Sequence, residues 1–323
     1  VNFCFVLAYG QMNNYGIYNI SSNIAGFILL GFPCRRENQI LFFSLLLIIY
    51  ILTLLGNGAI ICAVVWDQKL RTPMYILLAN FSFLEIWYVT TIIPNMLVNF
   101  LSESKFISFS DCFIQFYFFF SLGVTECYFL AIMAFDRYLA ICWPLHYPTI
   151  MTGHVCTRLI ISCWALGFLL YLFPIIIISQ MSFCDPKVID HFLCDLRPLL
   201  ALTCSRVPMM ELTCSILSSF SLFAAFGFIM GSYALVLRTV FRVPSTAGRR
   251  KAFSTCGSHL AVVSLFYGSV MVMYVKPNSG HDSGTQKIVT LFYSVVTPFL
   301  NPMIYSLRNR EMKDALRKSW GKE

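Results

Sequence analysis

The sequence predicts an all-α protein, a bundle of seven helices that crosses a membrane. Hydrophobic residues make up 58% of the 323 residues, charged residues only 12%, and the mean hydropathy is +0.72. A helix needs about 20 consecutive apolar residues to cross a bilayer. Seven such runs occur, at about 40–65, 73–98, 113–136, 155–179, 209–237, 253–275 and 287–307. They are continuous rather than alternating, which excludes a β-barrel.

The distribution of basic residues predicts which side of the membrane each loop faces. With the N-terminus outside, the inner segments contain 15 of the 23 Lys and Arg residues, and their net charge is +10 against 0 outside. Excess positive charge marks the cytoplasmic side and attracts anionic lipid, so nucleic-acid binding has no support. The prediction is an extracellular tail at 1–39, a receptor-like bundle at 40–307, and a cytoplasmic tail at 308–323 with a short amphipathic helix.

The extracellular tail contains two features of its own. Residues 1–11 carry no charge and precede Met12, so we interpret them as an upstream extension. They lack the basic flank of a cleaved signal peptide, and the first helix is expected to direct insertion. Asn19-Ile20-Ser21 is a predicted N-glycosylation acceptor on the outer side.

Polar side chains lie at mid-membrane depth in four predicted helices. Asn57 and Glu85 need partners there, and Glu126 and Asn301 are the natural candidates. One interpretation is a structural hydrogen-bond network. The other is a sodium site formed by Glu85 and Glu126, because two carboxylates without a basic partner must otherwise hold protons. No further cofactor is predicted.

Four of the thirteen cysteines lie at the outer start of the third helix and in the outer loop after the fourth, where disulfides form. Cys112 opens the third helix, and Cys184, Cys194 and Cys204 lie in the loop at about 180–209. Four cysteines allow three pairings, and the spacing does not choose among them. His191, Cys194 and Asp195 also suggest a copper or zinc site, although an oxidised Cys194 has no thiolate to offer. The loop is long enough to predict a cross-linked lid.

Three stripes of side chains suggest either helix packing or a ligand pocket. Tyr267, Met271 and Tyr274 share one face of the sixth helix. The third and fifth helices carry comparable positions, namely Phe119, Phe120, Gly123, Val124 and Cys127, and Leu217 and Ser221. Pro298 and Pro302 interrupt the seventh helix beside Asn301, which frees backbone carbonyls and suits motion.

Four motifs together resemble those of the vertebrate olfactory receptors, a branch of the rhodopsin-like G-protein-coupled receptors. They are Pro73-Met-Tyr75, the stretch from Met133 to Thr152, Lys251-Ala-Phe-Ser-Thr-Cys-Gly-Ser-His259, and Asn301-Pro-Met-Ile-Tyr-Ser-Leu-Arg-Asn309. Phe266-Tyr267-Gly268 is similar to the terrestrial-type class. Phe135, Trp143 and Gly257 depart from the usual Tyr, His and Ser. Trp143 lies on a loop expected to touch a G protein, which puts the coupling strength in question.

The resemblance implies a function and assigns roles to residues. A small, mostly apolar volatile binds between helices three, five and six, and a stimulatory G protein raises cyclic AMP at the plasma membrane, in olfactory neurons at the cilia. Cys112 pairs with Cys194, and Cys184 with Cys204. The implied ligand contacts are Phe119, Phe120, Gly123, Val124, Leu217, Ser221, Tyr267, Met271 and Tyr274. The implied switch consists of Asp136, Arg137, Tyr138, Tyr233, Asn301, Pro302 and Tyr305, with Tyr233 and Tyr305 moving toward Arg137 on activation.

Other function classes fit less well. A transporter is expected to show related halves with broken helices at matching positions, and no internal repeat occurs. An intramembrane enzyme needs a nucleophile with a base, or a metal cluster, and His259 is the only histidine within a predicted helical run. We interpret His259 as a polar residue at the hinge of helix six. A receptor of the same fold that acts outside the nose is an alternative that the sequence leaves open.

Overall fold

A computed structural model describes residues 26–32, 35–102, 105–205, 207–242, 246–275, 283–308 and 310–320. The predicted extension at 1–11, the acceptor Asn19 and the side chain of Tyr274 lie outside this part of the chain. Seven long helices form the bundle: α1 Arg36–Trp66, α2 Pro73–Leu101, α3 Phe109–Cys142, α4 Gly153–Ser179, α5 Pro208–Phe241, α6 Thr246–Val275, and α7, which runs through Ser283–Leu291, Phe292–Val296 and Thr297–Arg308. Shorter helical turns are Gln68–Leu70, Tyr147–Ile150 and Leu196–Ala201.

The long helices have the length and composition that membrane crossing requires. Within the described ranges, six stretches qualify outright, and the last of them is Gly284–Tyr305 in α7. α6 contributes a shorter apolar stretch, Cys256–Met271. The predicted seven-helix bundle is therefore confirmed. α7 is not regular, because Phe292–Val296 forms one π-helical turn just before Pro298, a local irregularity that is frequent at functional sites.

The helix ends follow from local capping chemistry. Ser108 begins α3 by accepting a hydrogen bond from the Asp111 amide at 3.1 Å, and Thr152 begins α4 by accepting one from the Val155 amide at 3.4 Å. α3 continues to Cys142, six residues beyond the predicted end at 136. The prediction stopped where charge begins, but Leu139, Ala140 and Ile141 continue the helix past the charged pair.

The predicted amphipathic helix after the bundle is confirmed as α8, Arg310–Trp320. Met312 and Ala315 are buried and lie against the core of the bundle, whereas Lys313 and Asp314 are exposed. The Tyr75 hydroxyl of α2 donates a hydrogen bond to Glu311 Oε2 at 2.7 Å. α8 is therefore fastened to the cytoplasmic start of α2.

The outer side adds a small sheet that the sequence did not predict. β1 Gly26–Leu29 lies between β2 Phe106–Ser108, which is antiparallel to it, and β3 Val188–Ile189, which is parallel. Strands of two to four residues carry too little alternation to be recognised in a sequence. The sheet joins three segments that are distant in the chain, so the segment preceding α1 is part of the lid.

Two clusters of buried apolar side chains form the core. The larger one runs through the middle and inner parts of the bundle, and the smaller one lies beneath the lid and contains β1, Cys112, Val124 and Cys194. Phe120 and Tyr128 of α3 pack against both clusters. The boundary between the outer and the main core therefore lies at this level of α3.

Candidate functional site

The region of the predicted switch is built around a closed ion pair on α3. Arg137 Nη2 donates to Asp136 Oδ2 at 2.6 Å, and Asp136 is 1% exposed. The Tyr147 hydroxyl, from the short turn after α3, donates to the other carboxylate oxygen at 2.7 Å. Burial, followed by the nearby Asp136 charge, raises the pKa of the Tyr147 phenol, which therefore stays a donor. Both Asp136 oxygens thus have partners.

The remaining predicted switch residues surround this pair. The Tyr233 hydroxyl on α5 is 2.7 Å from His259 Nδ1 on α6, so it bonds to His259 rather than to Arg137. Tyr305 is buried and packs its ring edge-on against Phe81, and its hydroxyl has no hydrogen-bond partner among the described residues. A hydroxyl without a partner in a buried site is free to form a new bond when the helices move.

Tyr138 packs partly against the main core of the bundle, and its hydroxyl contacts the following loop. The Trp143 indole donates to the Tyr138 hydroxyl at 2.9 Å, and its ring lies edge-on to His146. Trp143 itself is 50% exposed. Trp143, one of the three residues that depart from the family pattern, therefore lies between the predicted switch and the cytoplasmic surface.

The middle of the bundle contains the predicted polar network, in a different arrangement from the one expected. Asn301 Nδ2 donates to Glu85 Oε1, whereas Asn57 bonds to the carbonyls of Thr53 and Pro298 at 3.1 and 3.3 Å. Glu126 has no hydrogen-bond partner among the described residues, and neither do Glu85 Oε2, Asn301 Oδ1 and Ser121 Oγ. The residues that carry these atoms are between 0% and 1% exposed.

Close backbone packing holds this network in register. A Cβ atom on Gly56 of α1 would lie 3.0 Å from Pro302 Cγ of α7, so the glycine lets α1 approach the predicted hinge. α3 and α4 approach even more closely, since a Cβ on Gly167 would lie 1.9 Å from Thr125 Oγ1. Side chains larger than hydrogen at these two positions would push the helices apart.

The predicted ligand residues of α3 contact α2, α4 and α7, because Phe119 packs against Tyr88 and Tyr293 and Phe120 packs against Tyr171. Phe119 stacks on Tyr88 with centroids 5.5 Å apart, and Phe120 packs on Phe116 and Tyr171. The residues divide into a buried set, Phe119, Val124, Ser221 and Tyr267, and a half-buried set, Phe120, Gly123, Leu217 and Met271. The set therefore straddles the boundary between the two core clusters.

Two side chains connect the helices at this level. The Tyr128 hydroxyl of α3 donates to Ser221 Oγ of α5 at 3.3 Å, a long bond that a competing hydroxyl can replace. Tyr267 of α6 packs against Phe226 of α5 with centroids 5.0 Å apart, and its phenol neighbours the Cys127 thiol of α3. Tyr128 was not predicted, because a half-buried tyrosine on an apolar helix carries no distinguishing signal.

The lid is held by both predicted disulfides. Cys112 bonds to Cys194 and Cys184 to Cys204, which confirms the pairing that the resemblance implied. Gln115 of α3 supports the first by accepting from the Cys194 amide at 3.1 Å. The oxidised Cys194 has no thiolate, and the described residues contain no cluster of three or more metal-binding side chains. The alternative copper or zinc site therefore has no support.

Lys287 of α7 joins the lid to the bundle and was missed by the sequence analysis. Its ammonium is 2.5 Å from Asp190 Oδ1 of the lid and donates to the Gly31 carbonyl at 2.9 Å, and the residue is 4% exposed. Next to it, Gln286 donates to Asp195 at 3.0 Å. A lone lysine near the outer end of an apolar helix was a signal to look for an acid, but a partner 97 residues away could not be identified.

His191 of the lid is buried beside this group of charges. Its Nδ1 accepts from the Leu193 amide at 3.3 Å, its ring packs on Phe192, and it is 1% exposed. Burial lowers the pKa of His191 from 6.5 to about 4, and Lys287 adds to the effect, whereas Asp195 and Asp190 oppose it. His191 is therefore neutral at physiological pH.

Comparison with known proteins agrees with this architecture. A family profile described as "Olfactory receptor" matches residues 46–322. Human olfactory receptor 11G2 is 69% identical over 93% of this chain and 87% of its own length, and human olfactory receptor 11H6 is 62% identical over 92% and 90%. The crystal structure of squid rhodopsin superposes with a TM-score of 0.72 at 17% identity, covering 89% of this chain and 82% of the other, which shows the shared fold. The chain belongs to the olfactory receptor family of G-protein-coupled receptors and is a multi-pass plasma-membrane protein that senses odorants without being an enzyme.

Proposed function

We propose that the receptor responds to small neutral volatiles by activating a stimulatory G protein and raising cyclic AMP at the cilia of olfactory neurons. The observation that carries the proposal is the position of the closed Asp136–Arg137 pair on α3. The same helix carries Phe119 to Val124 at the level of the core boundary. One rigid element thus runs from the proposed ligand contacts to the proposed G-protein contact.

The chemistry of the ligand follows from the side chains that line the boundary. Phe119, Phe120, Val124 and Met271 offer apolar surface, and the described polar members of the predicted set carry hydroxyls, on Ser221 and Tyr267. No charge is present among these residues to attract a charged ligand. A mostly apolar molecule with one hydroxyl or carbonyl group fits best, because such a group can replace the long Tyr128–Ser221 bond.

The proposed mechanism is a shift of an existing equilibrium toward the active arrangement. The ligand stabilises the arrangement in which α6 has moved away from α3, so that Tyr233 leaves His259 and Arg137 leaves Asp136. Moving the population from 1:99 to 99:1 would need about 5.5 kcal/mol of preferential binding. Small ligands yield at most about 1.5 kcal/mol per heavy atom and usually much less, so partial agonism is expected for most odorants.

The test is a cyclic AMP assay of the full chain against a mixed odorant panel, followed by variants of α5. Ser221→Ala is expected to shift the half-maximal concentration of a hydroxyl- or carbonyl-bearing agonist about tenfold, which corresponds to one hydrogen bond. Ser219→Ala is the matched control, because Ser219 lies on the same helix and lines a crevice on its outer surface. Equal shifts for both variants, or a response without any stimulatory G protein, would contradict the proposal.

We also propose that sodium binds in the middle of the bundle. Glu85 Oε2, both Glu126 oxygens and Asn301 Oδ1 are buried acceptors with no hydrogen-bond partner among the described residues. The Glu85 and Glu126 carboxyl groups lie close enough to repel each other when ionised. Hard oxygen donors of this kind suit a small cation. Bound sodium would supply the positive charge that neutralises this group.

Thermal unfolding of the purified receptor tests the sodium site. Replacing choline by sodium at constant ionic strength is expected to raise the melting temperature of the wild type, and Glu126→Gln is expected to abolish the increase. Glu211→Gln, an exposed carboxylate at the start of α5, is the control and should keep the increase. A sodium effect that survives Glu126→Gln would mean that the two carboxyl groups share protons instead.

A further inference from the structure

A crevice on the membrane-facing surface lies between the cytoplasmic ends of α2 and α4. Its volume is about 550 Å³, and it is lined by Ile76 of α2 and by Gly153, His154, Cys156, Thr157 and Arg158 of α4. Ile76 is in the first turn of α2, and the others are in the first two turns of α4. The crevice is remote from the lid and from the proposed ligand contacts.

The depth of Arg158 places its charge at a chemical boundary. Arg158 lies five residues after the start of α4, which is about 7.5 Å along the helix axis at 1.5 Å per residue. The headgroup layer of each leaflet is about 5 to 7 Å thick. The guanidinium is therefore near the level where headgroups of the inner leaflet meet hydrocarbon.

Arg158 has no anionic partner in the part of the chain that the structure describes. Arg158 and His154 are exposed and form neither a hydrogen bond nor a salt bridge among these residues. Both oxygens of Asp136, the acid of the neighbouring α3, are occupied by Arg137 and Tyr147. An arginine at this depth needs an anion, because charge at the edge of hydrocarbon is costly when it is unpaired.

The lining of the crevice changes from polar to apolar along α4. His154 and Arg158 are four residues apart and share one helix face, and Ile161, three residues further on, is 60% exposed. The floor is closed by buried Cys156, whose thiol lies 3.9 Å from the Pro73 carbonyl of α2. The rim of the crevice therefore matches a charged headgroup, and its continuation matches acyl chains.

We propose that this crevice binds one anionic phospholipid of the inner leaflet. Arg158 holds the headgroup phosphate with two parallel hydrogen bonds, and the His154 ring donates a further one. Ile76 and Ile161 contact the acyl chains. The cytoplasmic leaflet supplies such lipids, and its negative surface potential favours their approach to a basic site. The site is independent of odorant binding.

Native mass spectrometry of the full chain in detergent, with phosphatidylserine added, tests the site. The wild type is expected to retain one phosphatidylserine molecule and to bind phosphatidylcholine at least tenfold more weakly. Arg158→Gln should weaken the binding of phosphatidylserine about tenfold, and Arg158→Lys should recover part of the lost affinity. The matched control is Arg238→Gln, which removes the same charge from an exposed position in the last turn of α5. Its affinity for the first lipid should be unchanged.

A second pair of variants tests the shape of the crevice without changing charge. Thr157→Phe fills it, whereas Ser162→Phe adds the same ring to an exposed position further along α4. Only Thr157→Phe is expected to displace the lipid. Equal losses for Arg158→Gln and Arg238→Gln would overturn the proposal and indicate attraction by the whole basic face. Displacement of the lipid by millimolar inorganic phosphate would also overturn it, because a phosphate site without acyl contacts would then suffice.

Discussion

The outer and inner ends of the bundle are held together by different kinds of bonds. The outer end has two disulfides, a three-stranded sheet and a buried lysine that connects the lid to α7. The inner end has exchangeable hydrogen bonds around Asp136 and Arg137, a Tyr233–His259 bond, and a buried Tyr305 hydroxyl without a partner among the described residues. Covalent links at one end and replaceable bonds at the other imply that the inner end moves more easily.

In the proposed mechanism, this difference lets a small ligand act on the inner end of the bundle. A lid fixed to α3 and α7 keeps the outer helix ends in place, so that changes at the core boundary are transmitted toward the side with weaker bonds. Variants at the two ends of the bundle test this asymmetry.

The Cys112–Cys194 disulfide is expected to contribute most to the stability of the outer end. In the chain-entropy model, closing loops with separations of 82 and 20 residues contributes about 4.5 and about 3.3 kcal/mol respectively. Replacing both Cys112 and Cys194 by Ser should therefore reduce surface expression more than replacing Cys184 and Cys204. Flow cytometry of tagged receptors measures this, and the opposite order would contradict the assigned role of the first bridge.

Lys287→Met is expected to lower the free energy of unfolding by about 2 kcal/mol. This is below the range for removing one partner of a fully buried ion pair, because the Asp190 side chain is 39% exposed and is screened by water. Lys105→Met is the control, since the Lys105 ammonium also binds the segment before α1, at the Leu30 carbonyl, but in an exposed contact. Thermal unfolding should show a smaller loss of stability for Lys105→Met than for Lys287→Met. Equal losses would show that the buried Lys287 contact has no special part in holding the outer end.

The buried His191 predicts a pH dependence of the outer end. Because burial lowers the pKa of His191 from 6.5 to about 4, its contribution to stability is fully present above about pH 6.5 and is lost as the pH falls toward 4. Asp190, Asp195 and Lys287 are the charged groups facing it. The melting temperature of His191→Asn should therefore fall less than that of the wild type between pH 7 and pH 5. Parallel curves would show that His191 does not titrate as described.

The inner end should respond to small changes by gaining basal activity rather than by unfolding. Asp136→Asn removes the countercharge of Arg137 and is expected to raise ligand-independent cyclic AMP about fivefold, which corresponds to about 1 kcal/mol. Tyr147→Phe removes only the second hydrogen bond to Asp136 and should give about a twofold increase. A decrease in basal signal for either variant, at matched surface levels, would mean that these bonds favour the active arrangement.

The sequence was informative where hydrophobicity and motifs act over short distances. The seven apolar runs predicted the bundle to within a few residues at most ends, and the motif containing Asp136 and Arg137 pointed to the pair of charges that the structure shows in contact. It was uninformative where distant segments meet. β1 pairs with strands about 80 and 160 residues away, and the Asp190 partner of Lys287 depends on the folded lid. The sequence suggested only a hinge role for His259. Its bond to Tyr233 could not be predicted, because only the packing of α5 against α6 brings the two side chains together.

The signal of Arg137→Ala at wild-type surface abundance tests the proposed mechanism. In that mechanism, odorant binding releases Arg137 from Asp136, and the released guanidinium contacts the G protein. With an agonist from the odorant panel, Arg137→Ala should therefore give no rise in cyclic AMP while the wild type responds. A full agonist response of surface-matched Arg137→Ala would contradict the central claim.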